Sequence, residues 1–296
     1  MSISEDGTLP GCQAPDPNTR TPKITVPAKA CDCHAHVFGP TDRFPYDAGR
    51  TYEPPEAPYD KYRKMLDTIG VERACLVQSS IHGTDNSAML DALVQSDGRF
   101  RGIAALPDGY TEADLIRLHD AGVRGARINL QFDGAAAMDG IERLADMIAP
   151  MGWHLQFLAN IANYHGALPR LAKLPIDLLF DHLGHMSTKL GLDAAPFQDL
   201  LAMRRDGRTW VKLSGPYRTT QGDGMPFADN LPFAQALVAA NPGTVVWGTD
   251  WPHPHLDIPM VNDGDLVDLL ADWVPDEALR QKILVDNPAR LFGFEE

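Results

Sequence analysis

One pattern restricts this chain more than any other. From Ala28 to the C-terminus, short runs of β-branched and apolar residues alternate with amphipathic stretches of helical spacing. Parallel strands need a long crossover to return to the same sheet, so this alternation reads as a parallel sheet covered by helices. Strand-like runs fall at 30–36, 73–80, 100–106, 125–130, 154–160, 177–183, 209–215 and 244–250. Helical spacing fills 59–69, 84–97, 111–121, 139–150, 163–174, 194–205, 226–240 and 263–273, with closing helices at 276–285 and 287–292. Thr84 and Thr111 stand where N-caps are expected. Eight such units in about 250 residues predict one (β/α)8 TIM barrel. An open doubly wound sheet would carry a glycine-rich fingerprint after its first strand, and here that strand runs into HAHVFGP.

Residues 1–26 are polar and rich in Pro, Asn and Thr, with neither strand nor helix period, and read as a flexible N-terminal arm. No fixed-period repeat or low-complexity linker divides the remainder, so 27–296 reads as a single domain.

Charge narrows the partners. The chain has 296 residues, 26 Lys and Arg against 40 Asp and Glu, and a formal net charge of −14. No Lys/Arg-dense run is present, which argues against nucleic acid as a ligand. Apolar runs fall short of the roughly 20 residues that span a bilayer, and a membrane role is set aside. The N-terminus lacks the apolar core of a signal peptide, and four cysteines are too few for a disulfide framework. Both point to the reducing cytoplasm.

In a barrel the chemistry sits where the strands end at their C-terminal side. The first strand reads Cys31-Asp32-Cys33-His34-Ala35-His36, and regular alternation puts Asp32, His34 and His36 on the inward face, with Cys31, Cys33 and Ala35 toward the helices. The cysteine pair is then read as packing rather than as metal ligands. The sixth strand ends in Asp181-His182 and the eighth in Asp250-Trp251-Pro252-His253. His34, His36, His182 and Asp250 together suit one divalent ion of the zinc type. They equally suit metal-free hydrolysis, with imidazoles polarising a carbonyl while Asp250 takes a proton from water.

With CHAHVFGP, VQSSIHGTDNSAMLDAL, GVRGARINL, FDHLG and VVWGTDWPHP in order, the chain resembles the amidohydrolase superfamily, and within it the group of 2-pyrone-4,6-dicarboxylate lactonases and 4-sulfomuconolactone hydrolases. The resemblance runs from about Pro27 to Phe292. It implies a lactone hydrolase of aromatic-compound catabolism acting on a small polyanionic lactone, with Asp250 as general base. His34, His36 and His182 would then bind the carbonyl or hold the metal. It also implies Arg127 and Arg218 as anchors for acidic substituents, with Tyr52, Ser80 and His82 lining the same pocket. The planar fork of arginine suits carboxylate and sulfonate on physical grounds as well.

Two departures bear on the substrate. Where pyrone dicarboxylate enzymes resemble FNFLKR after the fourth strand, this chain places Asp133, and where they resemble a fifth-strand tyrosine it places Leu158. Both shift the expectation from the pyrone toward a lactone of the 4-sulfomuconolactone type. The fifth strand ends without a histidine and the fourth without a bridging carboxylate or lysine, so the expectation is one zinc, with a metal-free enzyme as the alternative. A zinc-dependent decarboxylase or hydratase, and a non-catalytic binder of an acidic metabolite, are the competing readings.

Overall fold

The computed structural model describes residues 9–129 and 135–295. Its eight strands are β1 (Cys31–Ala35), β2 (Arg73–Val77), β3 (Phe100–Ala104), β4 (Val123–Asn129), β5 (His154–Leu158), β6 (Leu178–Phe180), β7 (Thr209–Leu213) and β8 (Val245–Trp247). They pair in parallel in the order β1 to β8. The sheet closes on itself where His36 N donates to Trp251 O (2.8 Å) and Asp250 N to His34 O (2.8 Å). The expected (β/α)8 barrel is therefore the fold.

The helices are α1 (Tyr59–Ile69), α2 (Ser87–Gln95), α3 (Glu112–Asp120), α4 (Ala135–Ile148), α5 (Leu168–Leu171), α6 (Ala195–Arg204), α7 (Leu231–Ala240), α8 (Asp263–Trp273), α9 (Glu277–Gln281) and α10 (Asn287–Phe292). In α1 the buried side chains Tyr62, Met65, Leu66 and Ile69 recur at i, i+3, i+4 and i+7. That stripe docks the helix on the barrel. Thr111 forms a complete capping box with Asp114 at the start of α3. Thr84 does not cap: α2 begins at Ser87, whose N–H is taken by Asp85 Oδ1, while Asn86 Nδ2 occupies the Thr84 carbonyl. The fifth helix shrinks to one turn after a 3-10 turn at His165–Ala167. Gly166 and Pro169 disfavour a longer helix through that stretch. None of the described helices is long and apolar enough to cross a membrane.

Two apolar layers build the core. The larger lies between sheet and helices. The smaller gathers Cys31, Cys33, Cys75, Ile103, Leu179 and Trp210 from five strands and is closed by Phe292 and Phe294. Only the barrel interior can bring residues from strands so far apart around the sheet into one cluster. This corrects the facing expected of β1. Cys31 and Cys33 point inward and pack there, while Asp32 points outward and accepts from Tyr62 OH of α1 (2.8 Å). The cause is a bulge: Asp32 pairs with Ala74 but Ala35 pairs with Leu76, so β1 has one residue more than β2. A bulge reverses the alternation beyond it, and so His34 and His36 face inward after two inward cysteines.

Asp32 also stitches the β1–β8 seam. It accepts from Thr249 N (2.9 Å), Thr249 Oγ1 (2.6 Å) and His34 N (3.1 Å). Burial pushes its carboxyl up to about 6 against these hydrogen bonds, which pull it down. Gly248 lets the two chains approach, because a Cβ there would lie 2.6 Å from His34 N and 2.7 Å from His34 Cβ.

The described part of the arm, 9–26, is not loose. Backbone and side-chain hydrogen bonds fasten it to the loop before α1 and to the start of α8. A non-periodic, proline-rich segment gives no pattern from which such docking could be read.

Candidate active site

Three strand ends supply the centre. His34 and His36 come from the end of β1, His182 from the turn after β6, and Asp250 from the turn after β8. Asp250 adopts a left-handed backbone (φ 68°), an uncommon state for a non-glycine residue. Its Oδ2 accepts from Arg218 Nε (2.6 Å) and Tyr217 OH (2.8 Å). Its Oδ1 is buried and has no hydrogen-bond partner. Three imidazole nitrogens converge on that atom: His34 Nε2 at 3.6 Å, His36 Nε2 at 3.8 Å and His182 Nε2 at 4.0 Å.

The outer nitrogen of each ring is occupied. His36 Nδ1 lies 2.7 Å from Val77 O. A carbonyl only accepts, so Nδ1 carries the proton and neutral His36 presents a bare Nε2 lone pair to the centre. His182 Nδ1 meets Ser214 Oγ at 3.0 Å. His34 Nδ1 lies 3.2 Å from Asp181 Oδ1 and 3.1 Å from Lys212 Nζ, and Lys212 Nζ lies 3.3 Å from Asp181 Oδ1. All three groups are satisfied when Lys212 and His34 both donate to Asp181, and in that tautomer His34 Nε2, which has no hydrogen-bond partner, is bare. Gln156 Nε2 donates to the other Asp181 oxygen (3.1 Å).

Burial sets the charge states. It lowers His36 and His182 well below the usual histidine range, so both rings are neutral at pH 7. Asp250 is pushed up by burial and down chiefly by the Arg218 guanidinium that holds it. The guanidinium prevails, and the carboxylate stays ionised. Neutral imidazoles and one carboxylate, with an orphaned nitrogen and an orphaned oxygen aimed at one point, make a donor set that fits a divalent cation. His34, His36 and Asp250 each offer a ligand atom within 4.8 Å of the others.

A cavity of about 140 Å³ opens above this centre. Tyr52, Ser80, Arg127 and Arg218 line it, and Asp250 is the single acid among its described lining residues. The mouth is thus locally cationic in a chain of net charge −14. Arg127 is inward on β4, bonded through Nη1 to Gln78 O, with a buried Nε that has no partner. Arg218 differs from a free anchor, because its Nε is held by Asp250 and its Nη2 by Pro254 O (3.0 Å). Tyr52 is raised to about 12 by burial, against hydrogen bonding to Ser79 and Ser80. His82 does not reach the cavity lining. It is buried beneath the loop after β1, with Nδ1 3.2 Å from Pro45 O and Nε2 accepting from Gly39 N (3.4 Å).

Sequence reasoning missed several parts. His185 and His255 line the cavity, and Leu158 does so at the position marked as a departure. Behind Asp250 runs a buried chain from Tyr217 to His253 Nδ1 (2.8 Å) and from His253 Nε2 to Asp263 (3.2 Å). Lys212 could have been found: a lysine two residues from Trp210 in an otherwise apolar strand shares its inward face. Asp133 lies outside the described residues.

The family profile described as amidohydrolase matches residues 31–294. A 4-sulfomuconolactone hydrolase of Hydrogenophaga intermedia is 37% identical over 300 residues, covering 99% of this chain and 98% of the relative. A 2-pyrone-4,6-dicarboxylate hydrolase of Comamonas testosteroni is 37% identical over 289 residues, covering 94% and 95%. A crystal structure from Acinetobacter baumannii, named for 2-pyrone-4,6-dicarboxylic acid hydrolysis and solved with citric acid bound, superposes with a TM-score of 0.79 at 28% identity, covering 90% of this chain and all of that one. With the profile spanning the barrel and two relatives above 30% identity matched end to end, this chain belongs to the amidohydrolase family.

Proposed function

We propose that the protein is a lactone hydrolase acting on a small polyanionic lactone of the 4-sulfomuconolactone type in aromatic-compound catabolism. The observation that carries this reading is the meeting of three imidazole Nε2 atoms on the free Oδ1 of Asp250, at the floor of a cavity lined by two arginines. Arg127, through its unengaged Nε, orients an acidic substituent of the lactone. Arg218 holds Asp250 and presents the rest of its guanidinium charge to the same cavity. His34, His36, His182 and Asp250 would hold one zinc ion, and such an ion would supply Lewis acidity toward the carbonyl and the water. Asp250 Oδ1 accepts the proton of the attacking water, its orientation fixed through Oδ2 by Tyr217 and Arg218. The water oxygen bonds to the carbonyl carbon, the ring C–O bond breaks, and the ring oxygen leaves as an enol or alcohol once protonated.

The bare lone pair of His36 supports the zinc reading over the metal-free one. A neutral ring that donates Nδ1–H to Val77 has no proton on Nε2 to offer an oxyanion. Leu158 in the lining supports the sulfonated lactone over the pyrone, since it offers no hydrogen bond where a tyrosine would. Placement in the cytoplasm is supported by four free thiols. The test is a side-by-side assay of 4-sulfomuconolactone and 2-pyrone-4,6-dicarboxylate with metal analysis of the same preparation. The expected result is about one zinc per chain and a kcat/KM at least about tenfold higher for the sulfonated lactone. Higher efficiency on the pyrone overturns the substrate assignment, and full activity with no bound metal overturns the zinc.

A further inference from the structure

The N-terminal arm crosses the barrel at its catalytic end, and its contacts are specific. Cys12 N donates to Glu53 O (3.0 Å) and Glu53 N to Pro10 O (2.9 Å), which pairs the arm with the loop that carries Tyr52. One residue on, Gln13 Nε2 donates to Leu256 O (3.0 Å) and to Ile258 O (2.8 Å), in the loop that carries His255. An amide nitrogen has two hydrogens, and both are accounted for. Tyr52 and His255 both line the cavity, and their ring centroids lie 3.7 Å apart. His255 is held in the left-handed region (φ 57°), which a non-glycine residue keeps only when its surroundings enforce it.

The arm is also anchored well away from the cavity. Asn262, buried at the start of α8, accepts from Arg20 N (2.9 Å) and Gly264 N (3.1 Å) and donates to Asp16 (2.7 Å) and Asn18 O (3.0 Å). Every hydrogen-bonding position of its amide is thus occupied, three of them by the arm. Gly264 admits the arm, because a Cβ there would stand within van der Waals overlap of the Arg20 carbonyl.

We propose that Gln13 is a positioning residue for the substrate cavity: the segment 10–13 is a strap that ties the Tyr52 loop to the His255 loop and holds both rings against the bound substrate. The mechanism gives the arm no chemical step, so its effect falls on substrate binding rather than on turnover. This inference rests on the cavity being the substrate site.

Three variants of the full chain test it. Gln13→Ala removes the donor, and Gln13→Glu keeps the shape but replaces the two N–H groups with acceptors facing two carbonyls. Gly264→Ala pushes the arm off at its distant anchor without touching a cavity residue. Each is assayed with whichever of the two lactones the wild type hydrolyses, and amide hydrogen exchange is followed in the segments 50–54 and 253–258. The expected result is a KM raised about five- to twentyfold with kcat within about twofold, and faster exchange in both segments. Unchanged KM in Gln13→Glu and Gly264→Ala overturns the proposal, as does faster exchange with unchanged KM. If Gly264→Ala lowers the thermal midpoint sharply, the two Gln13 variants decide alone. If the wild type hydrolyses neither lactone, the proposed function falls, and unchanged exchange in all three variants still overturns the strap.

Discussion

Arg218 Nε donates to Asp250 Oδ2 at 2.6 Å while Asp250 Oδ1, on the same carboxylate, faces three imidazole nitrogens and has no hydrogen-bond partner. The two oxygens therefore have different work. One fixes the side chain and its charge, and the other is free to face water or a cation.

The free oxygen makes Asp250 the most sensitive position. Asp250→Asn keeps the size and can keep a bond to Tyr217, but it cannot take a proton and loses the charge that Arg218 and a cation need. Turnover falls by at least about 10³-fold, in the range of lost general-base catalysis. Steady-state kinetics beside ligand titration check this, and near-normal kcat in the variant sinks the assigned role.

Tyr217 holds the other oxygen at 2.8 Å. A hydrogen bond to a charged group is worth about 1.5–3 kcal/mol, so Tyr217→Phe lowers kcat roughly tenfold or more while the fold is kept. Comparing kcat with KM for the variant separates this effect from loss of substrate binding, since Tyr217 is not in the cavity lining.

Lys212 and Asp181 form an ion pair with no solvent exposure, with Nζ 3.3 Å from Oδ1. Lys212→Met leaves a buried carboxylate without its cation, and the expected loss is about 3–5 kcal/mol in urea unfolding. Adding Asp181→Leu removes the stranded charge and recovers a large part of that stability. A double variant no more stable than Lys212→Met contradicts the electrostatic explanation.

Stability depends on pH through the buried histidines. His36 and His182 are lowered well below the usual range, first by burial, and burial brings His154 to about 3. Below an unfolded value near 6.5 the unfolded chain takes up protons that the folded chain refuses, so stability falls as pH falls. Asp32 acts in the opposite sense. Its folded value of about 6 lies above the unfolded one, so between about 6 and 4 the folded state binds more protons and gains. Three histidines outweigh one aspartate, and metal-free protein loses stability as the pH falls from 7 to 5.5. A urea midpoint that rises over that range instead contradicts this sign.

Much of this molecule was legible in the sequence, because its signals are local. Strand and helix periods depend on neighbours a few residues apart, so the eight strands and α1, α3 and α8 stand close to where periodicity puts them. His34, His36, His182 and Asp250 were legible as a group because the end of a barrel strand is a position that order along the chain defines. Tertiary structure decided what depends on partners far apart in the chain. The extra residue in β1 becomes a bulge only against β2, and it reverses which of Asp32 and Cys33 faces the interior. Arg218 is held by Asp250, 32 residues away, and so differs from a free substrate anchor. Lys212 finds His34 across 178 residues, and Gln13 finds Leu256 across 243. Such contacts leave no period behind, since a single hydrogen bond between distant residues constrains two positions and nothing between them.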